Sequence, residues 1–152
     1  EILDLPFKAV SAADAARARE LYEKFTRISW EEARKQPLEE KAFVNAVLTI
    51  EHLKKQHPYC QAEIAAFRLG DVYFVTNPAE LFVEYQLSLK QRWARKQLIV
   101  TELTNGGIGY VPTRQGYVLG GYESMNSILV RDAGSLIEDC CSKLLSALGG
   151  DR

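Results

Sequence analysis

Residues 98–124 read Leu-Ile-Val-Thr-Glu-Leu-Thr-Asn-Gly-Gly-Ile-Gly-Tyr-Val-Pro-Thr-Arg-Gln-Gly-Tyr-Val-Leu-Gly-Gly-Tyr-Glu-Ser. The β-branched, apolar run Leu98 to Leu103 predicts a buried strand, and Asn105-Gly106-Gly107 ends it in a segment whose glycines permit positive φ or close backbone approach. That segment holds Tyr110, Tyr117 and Tyr122, three of the seven tyrosines in the chain. A long connection fed by a core strand and dense in glycine and tyrosine is expected to carry a site.

Upstream, Cys60 to Leu69 alternates, Gly70-Asp71 is a two-residue hairpin signal and Val72 to Val75 is a second strand. Asn77-Pro78-Ala79-Glu80 follows, then Leu81, Phe82, Tyr85, Leu89 and Trp93 recur at helical spacing. Asn77 is therefore expected to cap a helix with Pro78 in its first position and Glu80 in its first turn, where the helix dipole alone favours a carboxylate. Residues 79–94 then cross to the strand at Leu98, which permits parallel pairing.

Nearer the start, Ile2, Leu3, Leu5, Phe7 and Val10 surround Pro6, which suits a short edge strand. Ser11 with Asp14 and Ser29 with Glu32 are capping-box pairs; the first opens a helix with Ala15, Ala18, Leu21, Tyr22 and Phe25 inward, the second a short helix anchored by Trp30. A third helix runs from Leu38 to about Lys55, with Phe43, Val47, Leu48 and Leu53 inward. Ser127 to Val130 suits a short strand, and Asp132 to Ser135 starts a last helix with Leu136, Ile137, Cys140, Cys141, Leu144, Leu145 and Leu148 as its apolar stripe and Gly149-Gly150 as its stop. The expected fold is α/β: a mixed β-sheet with an antiparallel hairpin, covered by amphipathic helices.

With 152 residues, 47% of them hydrophobic, the chain can form one domain with a real core. A net charge of −1 excludes a general nucleic-acid binder, and no apolar run approaches the roughly 18 residues of a membrane span. Cys60, Cys140 and Cys141 show neither disulfide nor zinc-finger spacing and read as core packing, as do Trp30 and Trp93. His52 and His57 are the only histidines. Five apart, they diverge by about 140° on a helix, and Lys54 and Lys55 stand between them, so they read as surface or helix-end residues. Beginning at Glu1 without methionine, the chain reads as a processed or expression product or a fragment, with the fragment favoured.

Gly109-Tyr110-Val111-Pro112-Thr113-Arg114, with Gly121-Tyr122-Glu123-Ser124 after it and Asn77-Pro78-Ala79-Glu80 before it, resembles the C-terminal third of the catalytic domain of neutral/alkaline, non-lysosomal ceramidases and their bacterial ceramidase-like relatives. The resemblance covers about residues 60–148. In that family two histidines from the first half of the domain, a glutamate and a tyrosine bind zinc. By motif position the resemblance places the glutamate on Glu80, the tyrosine on Tyr110, and a second tyrosine that contacts the reacting amide on Tyr122. It implies a zinc-dependent amidohydrolase acting on an N-acyl lipid such as ceramide, completed by the remainder of its own catalytic domain and, as is common in the family, secreted or membrane-associated. Leu81, Phe82 and the glycine-rich stretch from Tyr117 to Gly121 depart from the ceramidase pattern and leave another amide or an ester open as substrate.

The chemistry is coherent, since a carboxylate and a phenolate are hard oxygen donors and a neutral phenol can donate to a developing oxyanion. Catalytic zinc usually takes three protein ligands, so Glu80 and Tyr110 alone imply weak metal binding and no turnover. Tyr117 is expected to fill the loop's own core with its hydroxyl on backbone. Glu123 is expected to hold a backbone amide or Arg114, with no catalytic part. The alternative is a non-catalytic binding or structural module, a relative that kept the fold and lost its histidines.

Overall fold

The computed structural model describes residues 1–149 and is α/β, so Gly150, assigned above to the stop of the last helix, lies outside the described residues. β1 (Ile2–Leu5) pairs antiparallel with β2 (Cys60–Glu63), Leu5 opposite Cys60. β3 (Ala65–Leu69) and β4 (Val72–Thr76) form an antiparallel hairpin, and β6 (Gln97–Thr101) joins β4 in parallel, so the order is β3-β4-β6. A third pair, β5 (Glu80–Leu81) and β7 (Tyr110–Val111), is parallel with Glu80 opposite Tyr110. The helices are α1 (Ala12–Arg27), α2 (Trp30–Lys35), α3 (Leu38–Lys54), α4 (Val83–Arg92), α5 (Arg114–Leu119), α6 (Tyr122–Asn126) and α7 (Ala133–Ala147).

Local signals held where the partners are local. Ser11 and Ser29 both form complete capping boxes, with Asp14 and Glu32. Gly70 turns the hairpin at φ 60°, a conformation in which a Cβ is strained. The core gathers Leu5, Ile50, Ile64, Val75, Leu89, Trp93, Leu129, Ile137 and Leu145, with all three cysteines buried and free. Burial pushes the thiols of Cys60 and Cys141 up, to about 11 and about 12, as inert core cysteines require. The α7 helix packs on β3 and β4. On the other face of that sheet Phe67, Phe74 and Ile99 form one cross-strand row, the two phenyl rings stacked at 4.7 Å.

Several expectations are corrected. Trp30 is not an anchor: it is 75% exposed on a helix with no buried residue, while Trp93 is 1% exposed. Tyr22 is likewise exposed on α1. The alternating run from Cys60 to Leu69 is two strands, broken at the fully buried Ile64 so that its halves pair with different partners. Residues 127–130 add a single antiparallel bridge, Phe7 with Leu129, flanked by Lys8 N–H to Ile128 O and Val130 N–H to Pro6 O. Asp132 precedes α7 without capping it by its side chain, because its carboxylate accepts from Arg114 Nε at 2.8 Å. That bond also removes Arg114 from Glu123.

The Phe7 bridge brings Lys8 onto the loop. Lys8 Nζ donates to Ser124 O at 2.9 Å and stands 5.0 Å from the centre of the Tyr117 ring. Burial first, and the charge of Arg131 second, pull its pKa down to about 8. The folded protein therefore holds this proton less tightly than the unfolded chain. The resulting penalty is fully present below pH 8 and is relieved as pH rises toward 10.5. Unfolding free energies of wild type and Lys8→Met, measured by urea between pH 7 and 10.5, should shift in favour of wild type by on the order of 1–2 kcal/mol after discounting for partial solvation. A pH-independent difference would refute the assignment.

Candidate functional site

Glu80 does not sit in a helix. Residues 80–81 are extended because a backbone partner is present: Glu80 N–H donates to Gly109 O at 3.0 Å and Phe82 N–H to Val111 O at 3.2 Å, with Ile108 N–H bonded to Pro78 O at 3.1 Å. Helix α4 starts only after Phe82. Asn77 makes a turn in place of a helix cap, its Oδ1 accepting from Ala79 N–H at 2.9 Å. It is buried, and its backbone and side chain bond to Thr101 and Thr104, which ties the end of β4 to the end of β6. The helix-dipole explanation for a carboxylate at position 80 thereby falls away.

The three residues singled out in the sequence come together. Glu80 and Tyr110 are directly opposite in the β5–β7 pair. The rings of Tyr110 and Tyr122 meet edge to face, centroids 5.7 Å apart at 72°. Gly109, at φ 75°, delivers Tyr110 into its strand. Behind this strand the Tyr85 hydroxyl donates to Pro112 O at 3.3 Å, fixing the site to α4. Residues 114–119 and 122–126 are two short helices, α5 and α6, where the sequence suggested loop; the Thr113 hydroxyl caps α5 by accepting from Gly116 N–H.

Glu80 and Tyr110 both face a cleft of about 590 Å³ between the end of α3, β2 and residues 105–110. They also line a shallower recess shared with Glu84, Glu102 and Glu123. The surroundings are electronegative. Glu80 raises the Tyr110 phenol pKa, chiefly as acceptor for its proton; partial desolvation and the charge of Glu80 follow, then Tyr122 and Glu123. Desolvation, with the charge of Glu80, raises the Glu102 carboxyl, against a stabilising bond from the Leu81 backbone. Tyr117 lies apart from this, its hydroxyl bonded to Ser127 Oγ at 2.8 Å and Leu129 O at 3.1 Å, the packing role expected of it.

No family model, curated protein or solved structure matches the chain.

The cleft also holds residues that sequence reasoning left aside. His57, assigned to the surface, is on its wall, with Nδ1 3.0 Å from Tyr59 O and 3.3 Å from Tyr59 N. Asn45 of α3 and Asn126 of α6 line it too. Neither asparagine has a local signal, since each acquires its neighbour across the fold. For zinc, the ion the family resemblance implies, the donors present are two hard oxygens on adjacent strands. Among the described residues no group of three or more His, Cys, Asp or Glu is placed to hold a metal. Two such donors fall short of the protein ligands, about three, that a catalytic zinc takes.

Proposed function

We propose that this chain is the C-terminal part of a zinc-dependent amidohydrolase similar to the neutral ceramidases, which hydrolyses an N-acyl amide such as that of ceramide. The observation that carries the reading is the direct pairing of Glu80 with Tyr110 while Tyr122 packs on the Tyr110 ring. Three residues spread over 43 positions share one rim, in the combination the sequence resemblance names. Zinc, when bound, acidifies a water and polarises the amide carbonyl. Glu80 and Tyr110 are the oxygen donors for it, and the remaining ligands come from the rest of the catalytic domain. Because Glu80 raises the Tyr110 phenol pKa, a cation held by this pair would have to displace the phenol proton, and its binding would be favoured by rising pH. The Tyr122 hydroxyl donates to the amide oxygen as negative charge develops there.

A second reading, a non-catalytic module that kept the fold, is favoured by the missing third ligand among the described residues. The coding sequence upstream of Glu1 separates the two. A continuous reading frame carrying the family's histidine motifs, with zinc by metal analysis in the complete protein, supports the hydrolase. Those motifs without detectable zinc overturn it. In the complete protein Tyr122→Phe should lower kcat by roughly 10²–10³ with little change in KM, as loss of one oxyanion donor does; unchanged kcat would remove Tyr122 from the mechanism. The 152-residue chain alone should retain no zinc through dialysis.

A further inference from the structure

We infer that Asn126, itself oriented by Asn45, positions the Tyr122 hydroxyl so that its proton is directed away from Asn126 and is free to be donated. The catalytic meaning of this rests on the hydrolase reading, whereas the hydrogen-bond assignment stands on geometry alone.

Asn45 Nδ2 donates to Asn126 Oδ1 at 2.7 Å, and Asn126 Nδ2 donates to the Tyr122 hydroxyl oxygen at 3.3 Å. A carboxamide has one accepting and one donating end, so a partner that donates to the oxygen decides what the nitrogen faces. Turning the Asn126 amide over while Asn45 keeps its orientation would set two NH₂ groups against each other across the short Asn45 contact. With Asn45 donating, Asn126 is a donor toward Tyr122, and one lone pair of the phenol oxygen is occupied. The phenol proton then has no acceptor on that side. Donation into an oxygen also polarises its own O–H, which strengthens the bond that hydroxyl donates.

The chain of amides is a tertiary device. Asn45 is on α3 and Asn126 on α6, 81 residues apart, and the two helices pack together. Asn45 and Asn126 both lie on the wall of the cleft that Glu80 and Tyr110 face. The edge contact with Tyr110 orients the Tyr122 ring while Asn126 sets its hydroxyl, although the ring is 39% exposed. An exposed tyrosine without such fixing would average over hydroxyl rotamers. Asn126 is thus a positioning residue.

The test reads the hydrogen-bond state of Tyr122 directly. Its ring-mode Raman doublet, which distinguishes an accepting from a donating phenol, is isolated by subtracting the spectrum of Tyr122→Phe from that of its parent. In wild type the doublet should be of the accepting kind. Asn126→Asp, nearly isosteric but without an N–H to give, should turn it to the donating kind, and Asn126→Leu should remove the accepting character. An unchanged doublet in Asn126→Asp overturns the inference even if Asn126→Leu does not fold. In the complete protein Asn126→Asp should lower kcat on an N-acyl amide by about 10–100-fold with KM nearly constant, the usual effect of disturbing a residue that orients a reacting group. Full kcat despite an altered doublet would overturn the positioning role. An altered doublet in a zinc-loaded complete protein that hydrolyses no amide would leave the hydrogen-bond assignment standing and refute the hydrolase reading instead.

Discussion

Glu80→Gln should leave the fold intact and abolish the chemistry. In the complete protein kcat/KM for an N-acyl amide should fall by about 10³ or more, above the roughly 10²–10³ that follows loss of a single oxyanion donor, because a ligand and a negative charge go together. Metal analysis after dialysis should show zinc lost in parallel. The fold survives because what holds residue 80 in place is backbone, the Glu80 N–H bond to Gly109 O, which glutamine makes equally well. Thermal stability should change by no more than about 0.5 kcal/mol, as for ordinary partly exposed substitutions. The short chain gives an independent check. Glu80 is the main cause of the raised Tyr110 pKa, so Glu80→Gln should bring that phenol's titration down, read by NMR of ring-labelled tyrosine. A Tyr110 titration that does not move would mean that carboxylate and phenol do not meet, and the shared metal position would fail with it.

Gly134→Ala should cost more stability through steric overlap than the same change at any other described glycine. A Cβ at position 134 of α7 falls inside the van der Waals surface of the Tyr85 ring, against Cζ, Oη and Cε2. The ring cannot retreat easily, being buried and tied through its hydroxyl to Pro112 O. Overpacking of this kind costs about 1–3 kcal/mol, and losing the hydroxyl bond adds about 1 kcal/mol, while alanine's better helix propensity returns up to about 1 kcal/mol. A net loss of about 2–3 kcal/mol corresponds to roughly 5–10 °C in Tm for a chain of this size. The same substitution in a Tyr85→Ala background should be close to neutral, because the two sites share one space. Equal cost in both backgrounds would show that the helix, and not the ring, resents the methyl group. Since Pro112 follows Tyr110-Val111, the displaced ring should also weaken any function of the site.

The correspondence between sequence and structure divides by range. Ser11, Ser29 and Gly70-Asp71 act on partners within a few residues, so capping boxes and a hairpin turn were legible. The parallel pairing of β4 with β6 was legible too, because a crossing helix leaves few other arrangements. Tyr85, Leu89 and Trp93 face inward from α4 as their spacing predicts, but Leu81 and Phe82 at the front of the same pattern were misleading, since helical spacing counts residues and does not register that Gly109 and Val111 offer Glu80 and Phe82 a strand. Trp30 misled for a related reason: amphipathic spacing shows which side of a helix is apolar, and whether anything covers that side depends on the neighbours.

By itself the sequence determined the α/β class, the capping boxes and the hairpin, while Glu80, Tyr110 and Tyr122 were singled out by the family resemblance. Only the tertiary structure decided that residue 80 is in a strand opposite residue 110, that His57 is on the wall of the same cleft, and that two asparagines 81 positions apart meet beside Tyr122. Propensities, caps and turns are interactions between near neighbours and are written in short stretches. Strand partners and amide orientation are set by groups that come close only after the chain has closed on itself, and no local pattern encodes them.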